Sequence, residues 1–175
     1  MAAAASAGLL TQLGQGGSDK VQIGNGSVSA LKQPAASWAD SLPPSVLGYP
    51  FAERNFASAN GGGSRLLQVQ GSLRLYAVPG KDGMVCLVEV DSGAETAGGA
   101  CADRSVLRTG TIYMADLQDD GSRLVVGLVG DGHTYAEANG KRTAVQNNAF
   151  VLNHVQGGDL TVGSPTASQP VDIGG

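Results

Sequence analysis

A chain of 175 residues with 42% hydrophobic side chains is long enough to bury the core of one domain. Charged residues make up only 15%, and the 27 glycines follow no Gly-X-Y period, which argues against a charged helical bundle, a coiled coil or collagen. A net charge of -4 argues against nucleic acid as a partner. No apolar run approaches the roughly 18 residues of a bilayer-spanning helix.

Residues 1–33 are rich in Ala, Gly, Ser and Gln and keep no sustained period. Val21, Ile23 and Val28 are the candidate strand-pairing residues of this segment. Ordering a backbone costs roughly 1–2 kcal/mol per residue, and few large apolar side chains are present here to offset that. The segment is therefore expected to gain order by pairing, with its own sheet edge or with a neighbouring subunit as a donor strand. The beginning of the chain lacks the basic and apolar regions of a secretory signal. That leaves a cytoplasmic chain, or an exported one whose export segment lies outside this sequence.

Residues 34–64 carry Pro34, Pro43, Pro44 and Pro50, then Gly61-Gly62-Gly63. Trp38, Leu42, Val46, Leu47, Tyr49, Phe51 and Phe56 fall in the same stretch. It reads as an irregular collar with one or two helical turns, around residues 52–59, whose aromatics pack on the edge of the next domain. Disordered linkers rarely spend aromatics in this way.

Residues 65–156 change to short strands punctuated by turns. Predicted strands cover 65–70, 72–78, 84–90, 109–117, 123–129, 134–138, 142–146 and 149–155. Pro79-Gly80-Lys81-Asp82-Gly83, Asp119-Asp120-Gly121-Ser122 and Asn139-Gly140-Lys141 are turn signals between them. In the second strand Leu73, Leu75 and Ala77 alternate with Ser72, Arg74 and Tyr76, the period of a half-buried strand. About seven or eight short strands at this spacing predict an all-β fold, a small antiparallel sandwich or barrel with an N-terminal collar. Residues 157–175, rich in Gly, Ser, Thr and Pro, read as a flexible tail.

The two cysteines, Cys86 and Cys101, enclose a stretch whose residues 91–100 read as a glycine-rich loop. A disulfide would staple that loop, for roughly 3 kcal/mol in the chain-entropy model. The alternative is a pair of buried thiols in a reducing compartment. Two cysteines do not by themselves supply the four ligands of a structural zinc site.

Val78-Pro79-Gly80-Lys81-Asp82-Gly83-Met84-Val85-Cys86-Leu87, then Cys101, then Val126-Gly127-Leu128-Val129-Gly130-Asp131-Gly132, then Asn148-Ala149-Phe150 carry a resemblance. In order and spacing, over about residues 64–153, they resemble a family of uncharacterised actinobacterial extracytoplasmic domains, secreted or membrane-anchored. Gly130 and His133 depart from the proline and valine that the family's turn carries. The resemblance implies an all-β fold and an extracytoplasmic or cell-surface location. It implies no reaction.

His133 and His154 are the only histidines, and Asp131 sits two residues before the first. Asp131 and His133 are thus the candidate ligand or turn site, set against the plainer reading of a solvated turn. No Gly-x-Ser-x-Gly elbow or His-Glu-x-x-His motif is present, so no residue is assigned a catalytic role. Asp116, Asp119, Asp120 and Asp131 read as carboxylates on neighbouring turns, either a weak calcium site or hydrated turn residues. Asp119-Asp120-Gly121-Ser122 lacks the spacing and terminal Glu of an EF-hand. No cofactor or metal is expected. Two functions remain. One is a non-catalytic extracytoplasmic interaction or assembly module, a surface or filament-like subunit whose partner is a protein, itself included. The other is an exported hydrolase or small-ligand binder using Asp131 and His133.

Overall fold

The computed structural model describes residues 23, 26–35 and 37–172. Val21 lies outside them, as does most of the segment read as a donor strand. Among the described residues the fold is all-β, with eleven strands in three antiparallel sheets and only short helices. The front sheet is a meander of β1 (Arg65–Gln70), β2 (Leu73–Pro79), β3 (Met84–Asp91) and β4 (Thr96–Asp103). The middle sheet has the order β5-β6-β9, from Thr111–Leu117, Arg123–Val129 and Ala149–Val155. The rear sheet joins β7 (Tyr135–Ala138), β8 (Lys141–Ala144), β10 (Asp159–Gly163) and β11 (Ser168–Asp172) in the order β11-β10-β7-β8.

The period of two along each strand decides how these sheets stack. Leu73, Leu75, Val85 and Leu87 of the front sheet share a core with Ile112, Met114, Val126, Leu128 and Val151 of the middle one. The alternate residues of the middle sheet, Tyr113, Val125, Phe150 and Leu152, pack instead on Ala136, Ala138, Leu160 and Val162 of the rear sheet. On the outer face of the front sheet, Tyr76, Val78, Cys86 and Val88 meet Leu42, Val46, Ala52 and Phe56 of the collar. The molecule is therefore four layers deep: collar, front sheet, middle sheet, rear sheet. Strands covered on both faces read as continuous apolar runs, which is why β3 and β6 lack a clear alternation.

Two strand readings are corrected by this layering. The second face of β2 is not solvated, because Tyr76 and Val78 are buried beneath the collar, and only Arg74 within the strand is exposed. The strand series also continues past residue 156, where the sequence reading ends it and expects a flexible tail. There β10 and β11 pair in register from Asp159↔Asp172 to Gly163↔Ser168. Leu160 and Val162 alternate with Thr161 and fill the rear core, so even this polar stretch offers the period that a sheet needs.

The predicted loop at 91–100 is also mostly strand. All of β4 pairs with β3, from Met84↔Asp103 to Asp91↔Thr96, leaving Ser92–Glu95 as the turn. Glycine and alanine have weak strand propensity, but packing overrides it here. A Cβ at Gly99 would overlap the ring of Phe51, so glycine is what lets the collar lie flat on β4. The disulfide joins Cys86 to Cys101, which stand directly opposite one another with Cα atoms 4.0 Å apart. It ties adjacent strands together and does not staple a loose loop.

The collar owes its turns to proline. Pro44 and Pro50 open α1 (Pro44–Leu47) and α2 (Pro50–Asn55) at the position where a missing N–H costs nothing. Phe51 and Phe56 meet edge to face with centroids 5.8 Å apart. Trp38, expected with the other collar aromatics to pack on the edge of the next domain, is instead 81% exposed. A third short helix, α3 (Val106–Thr109), occupies the start of the predicted strand at 109–117. None of the described helices is long and apolar enough to cross a membrane.

Candidate functional site

Asp131 and His133 follow β6, and both are drawn into the fold. The Asp131 Oδ1 accepts from the Ser29 N–H and from Asn148 Nδ2, each at 2.8 Å. The Asp131 N–H donates to the Ser27 carbonyl at 2.7 Å. Asn148 completes the arrangement: its Oδ1 accepts from Ser29 Oγ at 3.1 Å and from the Ala30 N–H at 3.2 Å. Burial alone would raise the Asp131 carboxyl, but bonds from Asn148 and Ser29, with the Lys32 charge, hold it below the usual range. The group is a clamp that fastens residues 27–30 over one end of the front and middle sheets. Val28 and Ala30 are thereby buried in the main core. Ile23 donates its N–H to the Arg108 carbonyl at 2.9 Å. Both described members of the candidate pairing set thus bond or pack within their own chain.

His133 does not join Asp131 as a dyad. Its Nδ1 lies 3.0 Å from the Gly130 carbonyl, and its Nε2 is buried with no partner among the described residues. The side chain is only 6% exposed, and that burial pushes the imidazole below its ordinary 6.5. Among the described residues no carboxylate bonds to the enclosed ring.

The second histidine gives a closer likeness to a triad and still fails it. His154 Nδ1 lies 3.0 Å from Asp120 Oδ2 and 3.3 Å from Ser122 Oγ. A relay needs the carboxylate on one ring nitrogen and the hydroxyl on the other. Here both meet the same nitrogen, and Ser122 Oγ donates to Asp120 Oδ1 at 2.5 Å. Bonds from the Ser122 hydroxyl and backbone, then from His154, lower the Asp120 carboxyl to about 2. The three side chains lock the β5–β6 turn. The four carboxylates read as neighbours do not converge: Asp131 is held by the clamp, Asp120 by this turn, Asp119 is exposed on the same turn, and Asp116 points inward from β5 toward Glu89. Among the described residues no group of three or more His, Cys, Asp or Glu side chains could hold a metal ion.

What remains open is a surface that the sequence reading did not single out. A groove of about 440 Å³ runs between the collar and the β1–β2 end of the front sheet. Trp38, Leu42 and Pro43 form one wall, and Leu66, Val69 and Arg74 the other. Trp38 is 81% exposed and Val69 55% exposed, a large cost in wetted apolar area at one place. Asp40 builds this shape by accepting the Leu66 N–H at 2.8 Å, and the Ser64 hydroxyl donates to the Asp40 carbonyl at 2.5 Å. The collar is thereby pinned beside β1 while the Trp38 ring stays outside. The only signal for the groove in the sequence was a lone tryptophan among prolines. Comparison with family models, with curated proteins and with solved structures finds no match to this chain.

Proposed function

We propose that the chain is a non-catalytic interaction module that assembles with copies of itself outside the cytoplasm. The observation that carries this reading is the apolar groove with Trp38 standing exposed on its wall. The absence of a relay at either histidine, among the described residues, takes weight from the hydrolase alternative.

The occupant is the β5–β6 hairpin of a second copy. Leu117, 74% exposed, stands at the foot of that hairpin as an apolar knob. Asp119 and Asp120 beside it are exposed and acidic, and the groove offers the exposed Arg74. Apolar and charged features are thus complementary between two patches of the same molecule, the condition for association between copies. Strand addition at the outer edge of β11 is a poorer route, because Pro170 has no N–H to offer. The disulfide favours an oxidising compartment, as does the resemblance of the segments around Cys86 and Asp131 to extracytoplasmic domains.

Sedimentation velocity over a range of concentrations tests this directly. The expected result is a mass that grows with concentration, and that stays monomeric for Trp38→Ala and for Leu117→Asp. A wild-type chain that sediments as a monomer throughout, or variants that associate as the wild type does, would overturn it.

A further inference from the structure

We propose that Glu89 and Asp116 hold one proton between them and form a pH-sensitive clasp tying the front sheet to the middle sheet. The inference stands on placement and is independent of the groove. Glu89 is only 7% exposed and follows Val85 and Leu87 on the inner face of β3. Asp116 follows Ile112 and Met114 on the inner face of β5. The two carboxyls approach one another between the sheets, close enough for each to act on the other. Two carboxyls meeting at a site this buried do not both ionise at low cost, so one of the two holds a proton.

Among the described residues, the positions paired with these two carboxyls supply no cation to stabilise a doubly ionised pair. Opposite Glu89, β2 presents Leu75 and β4 presents Gly98. Opposite Asp116, β6 presents Leu124, while Arg123 stands opposite exposed Leu117. Arg74 alternates to the collar side of β2. The charges that act on Glu89 are those of Asp116 and of Asp91 on its own strand, both negative. Burial first, then Asp116 and Asp91, push the Glu89 carboxyl up to about 8 from its ordinary 4.5. Burial raises Asp116 as well.

The sign of the pH dependence follows. A carboxyl raised in the folded state binds a proton that the unfolded chain has already released, so folding takes up about one proton between the two values. Stability from this site is fully present below pH 4.5 and is lost as pH rises toward about 8. Above that, two carboxylates face each other across the inner layer, at the end of the molecule that carries the β1–β2, β3–β4 and β5–β6 turns.

Urea unfolding of the intact protein between pH 5 and 9 (roughly the window a one-proton linkage spans) is the test, on wild type, Glu89→Gln and Asp116→Asn. Relative to Glu89→Gln, the wild-type folding constant is expected to fall by up to about tenfold per pH unit through the window. Equal slopes in the two proteins would overturn the clasp. Should a variant fail to fold, carboxyl carbon NMR of the wild type decides: a Glu89 midpoint near 8 supports it, and one near 4.5 overturns it.

Discussion

Asp131 shows how far a residue can be read before its neighbours are known. Its place two positions before a histidine suggested a site; its bonds to Ser29 and Asn148 make it a fastener of the chain's own early segment. Asn148 carries more of that fastening, because it also donates to the Val129 carbonyl at 3.2 Å. Asn148→Ala leaves these groups unpaired and is expected to cost about 2–3 kcal/mol, read from the urea midpoint. Amide exchange at residues 27–31 should quicken in the same variant. His133 acts with the opposite pH sign to Glu89. Its imidazole is held below 6.5 by burial, so the stability it contributes is fully present above that value and is lost as pH falls below it. His133→Phe should flatten the acid limb of the stability profile, and an unchanged limb would show that the ring is not the titrating group.

At the scale of elements, what the sequence disclosed depended on whether a strand's own residues carried the signal. The bounds of β1, β6 and β9 coincide with the reading, because apolar β-formers end at turn residues on both sides. The strand β4 was missed, since Thr96–Asp103 is built from Ala, Gly and Thr and owes its conformation to pairing with β3. Its Gly99 marks where Phe51 lies on the sheet, a contact made by a residue more than forty positions earlier. Gly127 is the same device on β6, where a Cβ would overlap the Phe150 ring. Gly127→Ala is therefore expected to destabilise by about 1–3 kcal/mol in thermal or urea unfolding. The disulfide was legible from cysteine count and the intervening glycines, although the geometry it closes is a hairpin. Removing it as Cys86→Ala with Cys101→Ala should cost about 3 kcal/mol in the chain-entropy model, and no free thiol should titrate in the unfolded, unreduced wild type.

The whole molecule is a stack in which the middle sheet has no wet face. That accounts for a core spread over three apolar clusters in a chain of modest size. It also explains why the groove was not legible. Trp38 and Val69 are separated by most of the collar and one turn of chain, and only the layering brings them to one wall and its opposite. The Glu89–Asp116 pair was hidden for the same reason, as its two strands belong to different sheets. Trp38 is the one tryptophan in the chain, so its emission reports the groove and nothing else. Emission followed across a dilution series is the most direct measurement of the central claim. The account predicts a shift to shorter wavelength as concentration rises, in step with sedimenting mass and absent in Leu117→Asp. Emission that stays at the wavelength of a water-exposed indole up to the solubility limit would contradict it.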